Sequence, residues 1–388
     1  MIDLEAVRAQ TPGCHRGVFL DSAGSSLPPV RVLDEVVNHL RREAEVGGYR
    51  AAEERLDDLE AGYAVLASVL DCHPDEVAFT DSATRSWLAV FDAIPLAAGD
   101  RILCTEAEYA GNAIPLLRRA EEVGAVVEAI PSDAMGAVDV AALRSLLDER
   151  VRLVSLVHVP TNGGLVNPVA PVVEAAHEVG ALVMLDACQS VGQVQVTGLG
   201  ADIITGTGRK WLRGPRGTGF LVVRRPVLES LHPRQVDLHS GTWVGPDRYE
   251  LRDDARVFEL WESNIADRLG LVAAFQYALD LGIDAIAAAV ADHGEHLRRG
   301  LAELPGVTVH DLGSQRCGLV TFSVSGVPAA EVRDRLREKG VTVTVSGVTS
   351  TRYDMTRRGL DEIVRASPHY FVSPAQLDEA VAAVAELA

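Results

Sequence analysis

Ile203-Ile204-Thr205-Gly206-Thr207-Gly208-Arg209-Lys210-Trp211-Leu212-Arg213-Gly214-Pro215-Arg216-Gly217-Thr218-Gly219-Phe220 opens on a short apolar strand and runs into a glycine-rich turn that carries a lysine. Of the 36 Lys and Arg residues in the chain, only Lys210 and Lys339 are lysines. Arginine supplies positive charge everywhere else. A guanidinium stays protonated and does not condense with an aldehyde, whereas a primary amine can be deprotonated and can form a Schiff base. Lys339 lies in the polar stretch Arg333 to Gly340, which reads as the solvated end of a helix. Lys210 is therefore the residue to explain, and pyridoxal 5'-phosphate is the cofactor it suggests. The plain alternative, a surface lysine in a loop, is weakened by what surrounds it in sequence.

Upstream of that stretch, short β-branched runs alternate with amphipathic helical segments. Strands are expected at Val77–Thr80, Arg101–Cys104, Val126–Ile130, Leu153–Val157, Leu182–Leu185, Ile203–Ile204 and Phe220–Val223, with helices such as Pro171–Val179 between them. This pattern defines an α/β fold with a mostly parallel seven-stranded sheet covered by helices on both faces. Ligands of such sheets gather beyond the carboxyl ends of the strands, so site residues should directly follow strands. After about residue 250 the pattern changes to two long helices, Leu269–Leu281 and Ala285–Leu304. Strand-like runs then follow at Val307–Val309, Gly318–Val324 and Val341–Val345, with a helix over Val327–Gly340. The expected division is residues 1–250 as an N-terminal segment plus large cofactor-binding domain. Residues 251–388 form a small α+β C-terminal domain that includes the long connecting helix.

The 388 residues suffice for a large core, and a hydrophobic fraction of 47% is ordinary for a folded protein. A net charge of −19 argues against nucleic acid and anionic membrane surfaces as partners. Five scattered cysteines without a Cys-x-x-Cys pair, and no secretory leader, lead to the expectation of a cytoplasmic protein. No metal site is expected, and His293 and His296 read as residues of a solvated helix face.

Four strand ends carry small or polar residues. Phe79-Thr80 leads into Asp81-Ser82-Ala83-Thr84 at a helix start, where free N–H groups and the helix dipole favour a phosphate; a simple N-cap is the alternative. Leu103-Cys104-Thr105 leads into Glu106-Ala107-Glu108-Tyr109, whose aromatic ring could stack on a flat heterocycle. Val183-Met184-Leu185 leads into Asp186-Ala187-Cys188-Gln189, and a carboxylate directly after an apolar strand needs a cation or several donors. A protonated pyridine nitrogen is such a cation. The fourth strand end is the Lys210 segment itself.

With these motifs in order along one sheet, the chain resembles a class V aminotransferase of fold type I. This is the family of cysteine desulfurases, selenocysteine lyases and isopenicillin N epimerase-like proteins. The resemblance runs from Leu20-Asp21-Ser22-Ala23-Gly24 to Val364-Arg365-Ala366-Ser367-Pro368-His369. It implies that Lys210 holds the cofactor and moves the Cα proton, that Asp186 pairs with the pyridine nitrogen, and that Gln189 bonds the ring oxygen. Tyr109 takes the position of a stacking histidine. Ala83, Thr84 and Thr207 would bind the phosphate, with Thr242 and either Thr161 or Asn162 also at the cofactor. Arg365 would clamp the substrate carboxylate, a bidentate task suited to a guanidinium, and Ser22, Ala23, Gly24 and Tyr49 would line the substrate side. A small amino-acid substrate and a homodimer with shared active sites, built around Ser240–Trp243 and Glu262, are implied as well.

Three departures from the family pattern stand out. Pro160-Thr161-Asn162 replaces a Ser-Asn pair, Arg209 precedes the lysine where histidine is common, and Glu262 stands where desulfurases place a threonine. Desulfurases also carry a nucleophilic cysteine in the loop that corresponds to Ser346–Arg365, and this chain has none there. Segments Glu43–Tyr49, Arg209–Gly217 and Arg365–His369 are similar to the carbon–sulfur lyases of ergothioneine biosynthesis and to enzymes that process cysteine conjugates in lincosamide pathways. The expected activity is thus C–S β-elimination from a bulky S-substituted cysteine in natural-product biosynthesis. Decarboxylation-coupled oxidative deamination to an aldehyde, transamination or epimerisation, and cofactor binding without turnover are the alternatives.

Overall fold

A computed structural model describes residues 2–388. Its largest element is a seven-stranded sheet formed by β1 (Val77–Thr80), β2 (Arg101–Thr105), β3 (Val126–Ile130), β4 (Val151–Val157), β5 (Leu182–Asp186), β6 (Ile203–Thr207) and β7 (Gly219–Val223). The spatial order is β1-β7-β6-β5-β4-β2-β3. Only β7 runs against its neighbours; the pairs β6–β5, β5–β4, β4–β2 and β2–β3 are all parallel.

Successive side chains of these strands point to opposite faces, and here both faces are covered. Val183, Leu185, Ile204, Phe220 and Val222 enter one core, together with Leu271 and Phe275 from the helix Ile265–Leu281. Met184, Ile203, Leu221 and Val223 enter the other, under Trp87, Val90 and Phe91 of the helix Ala83–Ala93. Burial on both faces explains why the strands read as nearly unbroken apolar runs.

The expected strands form, most of them one to three residues longer than the sequence pattern suggested. Val341–Val345 departs from expectation. Val341–Thr342 pairs in parallel with Val18–Phe19, and the strand resumes at Thr344 in a different sheet. The segment thus serves two partners and cannot remain one straight strand. An exposed hairpin, β8 (Gly241–Gly245) with β9 (Arg248–Leu251), follows the large sheet.

A second, wholly antiparallel sheet contains β10 (Val307–Val309), β11 (Val320–Val324), β12 (Thr344–Gly347) and β13 (Glu362–Ala366), in the order β10-β11-β13-β12. The helix Ala329–Glu338 covers it, and the helix Pro374–Ala385 packs on Ile283–Ala302. His293 departs from the solvated reading, because its Nδ1 lies 3.1 Å from the carbonyl of His369 in a partly buried contact. Among the described residues no single helix is long and apolar enough to cross a membrane. Among the described residues no cluster of three His, Cys, Asp or Glu side chains is placed to hold a metal ion.

Candidate active site

Strands β1, β2, β4, β5 and β6 share one direction, so their carboxyl ends open on the same edge of the sheet. A cleft of about 670 Å³, open to solvent, lies there. Among its lining residues are Ala83, Thr84, Tyr109, Thr161, Asp186, Gln189, Thr207 and Lys210, which the sequence had singled out.

After β1, the Ser82 hydroxyl caps the helix Ala83–Ala93 by accepting from the Arg85 N–H at 3.1 Å. The N–H groups of Ala83 and Thr84 are the orphan donors of that first turn. A Cβ on Gly219 would lie 2.3 Å from the carbonyl carbon of Ser82, so only glycine at the head of β7 lets the helix start sit this close to the sheet. Thr207 ends β6 beside it and donates to the Thr218 carbonyl at 3.2 Å.

Asp186, at the end of β5, is buried. Its Oδ1 accepts from the Cys188 N–H and its Oδ2 from the Asn112 amide, each at 2.9 Å. Lys210 projects into the same cleft. Burial lowers its pKa, assisted by the Arg209 and Arg365 guanidiniums and opposed by Asp186. An amine shifted this way is more readily available as the free base.

The turn that carries Lys210 is held from several sides. The Trp211 indole donates to Gln189 Oε1 at 2.8 Å, and its carbonyl meets His369 Nε2 at 2.9 Å. Arg213 adopts a left-handed backbone (φ 62°) and is fully buried. Its guanidinium donates to the Leu27 carbonyl, to Tyr370 Oη and to Thr11 Oγ1.

Beside Thr161, Arg365 of β13 donates to Thr161 Oγ1 at 2.8 Å and to the Thr161 carbonyl at 3.1 Å. Its other terminal nitrogen lies 3.5 Å from Asp21. Thr161, not Asn162, faces the cleft; the Asn162 amide turns to Asp354 at 3.3 Å. Ser22, Ala23 and Gly24 form a short turn that docks here. Gln189 Nε2 donates to the Ala23 carbonyl, and Arg209 to the Gly24 carbonyl.

Besides Asn162, two residues singled out in sequence do not join the cleft of their own chain. Tyr49 is 83% exposed on the short helix Gly48–Glu53, and Thr242 lies on the exposed hairpin. The sequence reading also missed several lining residues, among them Asn112, Cys188, Thr205 and Arg209. Asn112 and Cys188 stand within three residues of Tyr109 and Asp186, and that nearness was the available signal.

The donors fit pyridoxal 5'-phosphate. A lysine with a depressed pKa, a buried carboxylate that lacks a hydrogen-bonded cation, and a capped helix start with free N–H groups lie around one cleft. The buried Thr205 hydroxyl, which also faces the cleft, has no protein partner.

A family model, aminotransferase class-V, matches residues 18–379, and the chain belongs to that family. It is an enzyme of the pyridoxal-phosphate-dependent, fold type I kind. Among its relatives is a protein of Methanothermobacter thermautotrophicus named "Probable cysteine desulfurase", 29% identical over 95% of this chain and 94% of the relative. Another is the Mycobacterium tuberculosis protein named "Probable hercynylcysteine sulfoxide lyase", 31% identical over 91% and 86%. The apo cysteine desulfurase of Thermococcus onnurineus superposes with a TM-score of 0.91 at 25% identity, covering 100% of this chain and 98% of that one. Enzymes that cleave carbon–sulfur bonds are thus its relatives.

Proposed function

We propose that this protein is a C–S β-lyase that acts on an S-substituted L-cysteine with a bulky substituent, in the biosynthesis of a sulfur-containing natural product. The observation that carries this reading is where the cysteines are. The segment Ser346–Arg365 has no thiol to receive sulfur. One cysteine lines the cleft, Cys188, and burial together with the Asp186 charge pushes its pKa well up, so it stays a protonated, poor nucleophile. Sulfur has no acceptor in the chain and leaves as a thiol.

Bound pyridoxal phosphate supplies an electron sink for the bond that breaks at Cα. The protein does the rest. Arg365, braced by Thr161 and Asp21, orients the carboxylate, and Lys210 takes the Cα proton as general base. The Cβ–S bond then breaks, the sulfur leaves with its electron pair and gains a proton, and water converts the released aminoacrylate to pyruvate and ammonium. The mycobacterial relative named as a sulfoxide lyase supports this choice.

A homodimer goes with the reading. Leu238, Trp243, Tyr249 and Trp261 are 68%, 79%, 69% and 52% exposed around the hairpin that carries Thr242, an apolar surface suited to a second copy. A cytoplasmic location is proposed on the strength of five unbridged cysteines.

Product analysis by mass spectrometry after incubation of the cofactor-loaded protein with a bulky S-substituted cysteine tests the reaction. Thiol, pyruvate and ammonia, absent with Lys210→Ala, are expected. Alanine with a persulfide, or an aldehyde with loss of carbon dioxide, would overturn it.

A further inference from the structure

Behind Asp186 lies a second carboxylate that the reaction above does not use. Glu108 follows β2 and is 1% exposed. Its Oε1 accepts from the Tyr109 N–H and from the Asn112 amide, each at 2.9 Å, and its Oε2 meets the Ser155 hydroxyl at 3.0 Å. The same Asn112 nitrogen donates to Asp186 Oδ2 at 2.9 Å. One amide group therefore spends one hydrogen on each of two buried carboxylates. Both of its partners are acceptors, which fixes which end of the amide faces them.

No cation touches Glu108. The charged and titratable groups around it are Asp186 from β5, Cys104 from β2 and Tyr353 from the short helix Arg352–Arg357, with Lys210 beyond Asp186. Burial and the neighbouring Asp186 push the Glu108 carboxyl up to about 8, against the pull of Asn112, Ser155 and the Tyr109 N–H. A proton on Oε2 can be donated to Ser155 Oγ without disturbing either bond at Oε1. Both charge states therefore fit one geometry.

We propose that Glu108 is a positioning residue that acts through Asn112 on Asp186, fixing that carboxylate's orientation and adding a switchable negative charge behind the cofactor's ring nitrogen. The proposal rests on the pyridoxal phosphate assignment. When Glu108 is ionised, two negative charges back the ring and its lysine linkage, and protonation there persists to higher pH. When it is neutral, Asp186 acts alone.

Glu108→Gln copies the neutral state, since a glutamine keeps Oε1 as acceptor and offers an N–H to Ser155. Spectrophotometric pH titration of the bound cofactor's long-wavelength band, from pH 6 to 10, provides the readout. The midpoint in Glu108→Gln is expected roughly one pH unit below wild type. Ser155→Ala withdraws a donor from the ionised form and should move the midpoint the same way by less. Asn112→Ala breaks the link while leaving both carboxylates, and should weaken cofactor binding about tenfold by equilibrium dialysis. Unchanged midpoints in both Glu108→Gln and Ser155→Ala would overturn the proposal and leave Glu108 as a buried loop anchor. A wild-type protein with no cofactor band at all would instead overturn the cofactor assignment.

Discussion

Two glutamates are buried to nearly the same depth, one just after β2 and the other bonded to the backbone of β1: Glu108 at 1% exposure and Glu259 at 3%. Glu259 accepts from Tyr63 Oη at 2.9 Å and from the Phe79 N–H at 2.8 Å, meets His239 Nε2 at 3.0 Å, and has Arg268 at 3.5 Å. Arg256 and Arg268 also lie over the Tyr63 ring. Burial alone would raise this carboxyl, but His239, Arg268 and the Phe79 N–H outweigh it and hold it below the usual range. Glu108 has neutral donors and an anion for company, and rises. The charge of a buried carboxylate is thus set by the sign of what surrounds it, and burial only raises the stakes. One glutamate is a brace for the sheet edge whose carboxyl is held below the usual range; the other is pushed up to about 8.

The contrast can be broken most directly at Glu259. Glu259→Ala leaves Arg268 and Tyr63 without their buried partner and should cost about 3–5 kcal/mol in denaturant unfolding of the apoprotein. Stability of Glu259→Ala equal to wild type would erase the distinction.

An effect that depends on pH should appear at Glu108. Its folded-state pKa of about 8 exceeds the ordinary 4.5, so between these values the folded protein keeps a proton that the unfolded chain has released. Stability contributed by this group is then present at acid pH and lost as pH rises toward 8, with a ceiling of about 1.4 kcal/mol per unit of elevation. Apo Glu108→Gln should match wild type near pH 5 and exceed it near pH 9 in thermal melts. Parallel curves across that range would show that the charge is never developed. The smallest effect should come from His239→Gln, which keeps a donor beside Glu259 but removes the chance of a cation. A loss of about 1 kcal/mol at neutral pH, measured in the same way as for Glu259→Ala, would place most of the stabilisation on Arg268.

Much of the cleft lining was legible in sequence because its residues directly follow strands whose apolar runs are easy to see. Lys210, Asp186, Tyr109 and Thr84 all have this local signature. Thr161 and Asn162 could not be told apart, since they are adjacent in a loop and a rotation of one peptide decides which faces the cleft. Arg365 was found by motif alone: its strand, Glu362–Ala366, is central in the small sheet, yet its charged residues hide the alternation. The Glu259 cluster was invisible. It joins Tyr63, Phe79, His239 and Arg268, which are separated by up to 205 residues, and no periodicity encodes a contact of that span. Tyr49 and Thr242 carry family positions in sequence but no contact with their own chain's cleft.

The region around Arg365 also joins early and late parts of the chain. Asp21 and Arg365 are 344 residues apart, the Ala23 N–H donates to Ser367 Oγ at 2.9 Å, and Val18–Phe19 pairs with Val341–Thr342. Closing such long loops is slow, and during synthesis the first of these segments emerges well before its partners exist. The large sheet can pair while the ribosome is still at work, but the Arg365 side of the cleft cannot. A nascent chain would gain Lys210 and Asp186 first and Arg365 last, so that, on the proposed roles, cofactor capture can precede any ability to hold an amino acid.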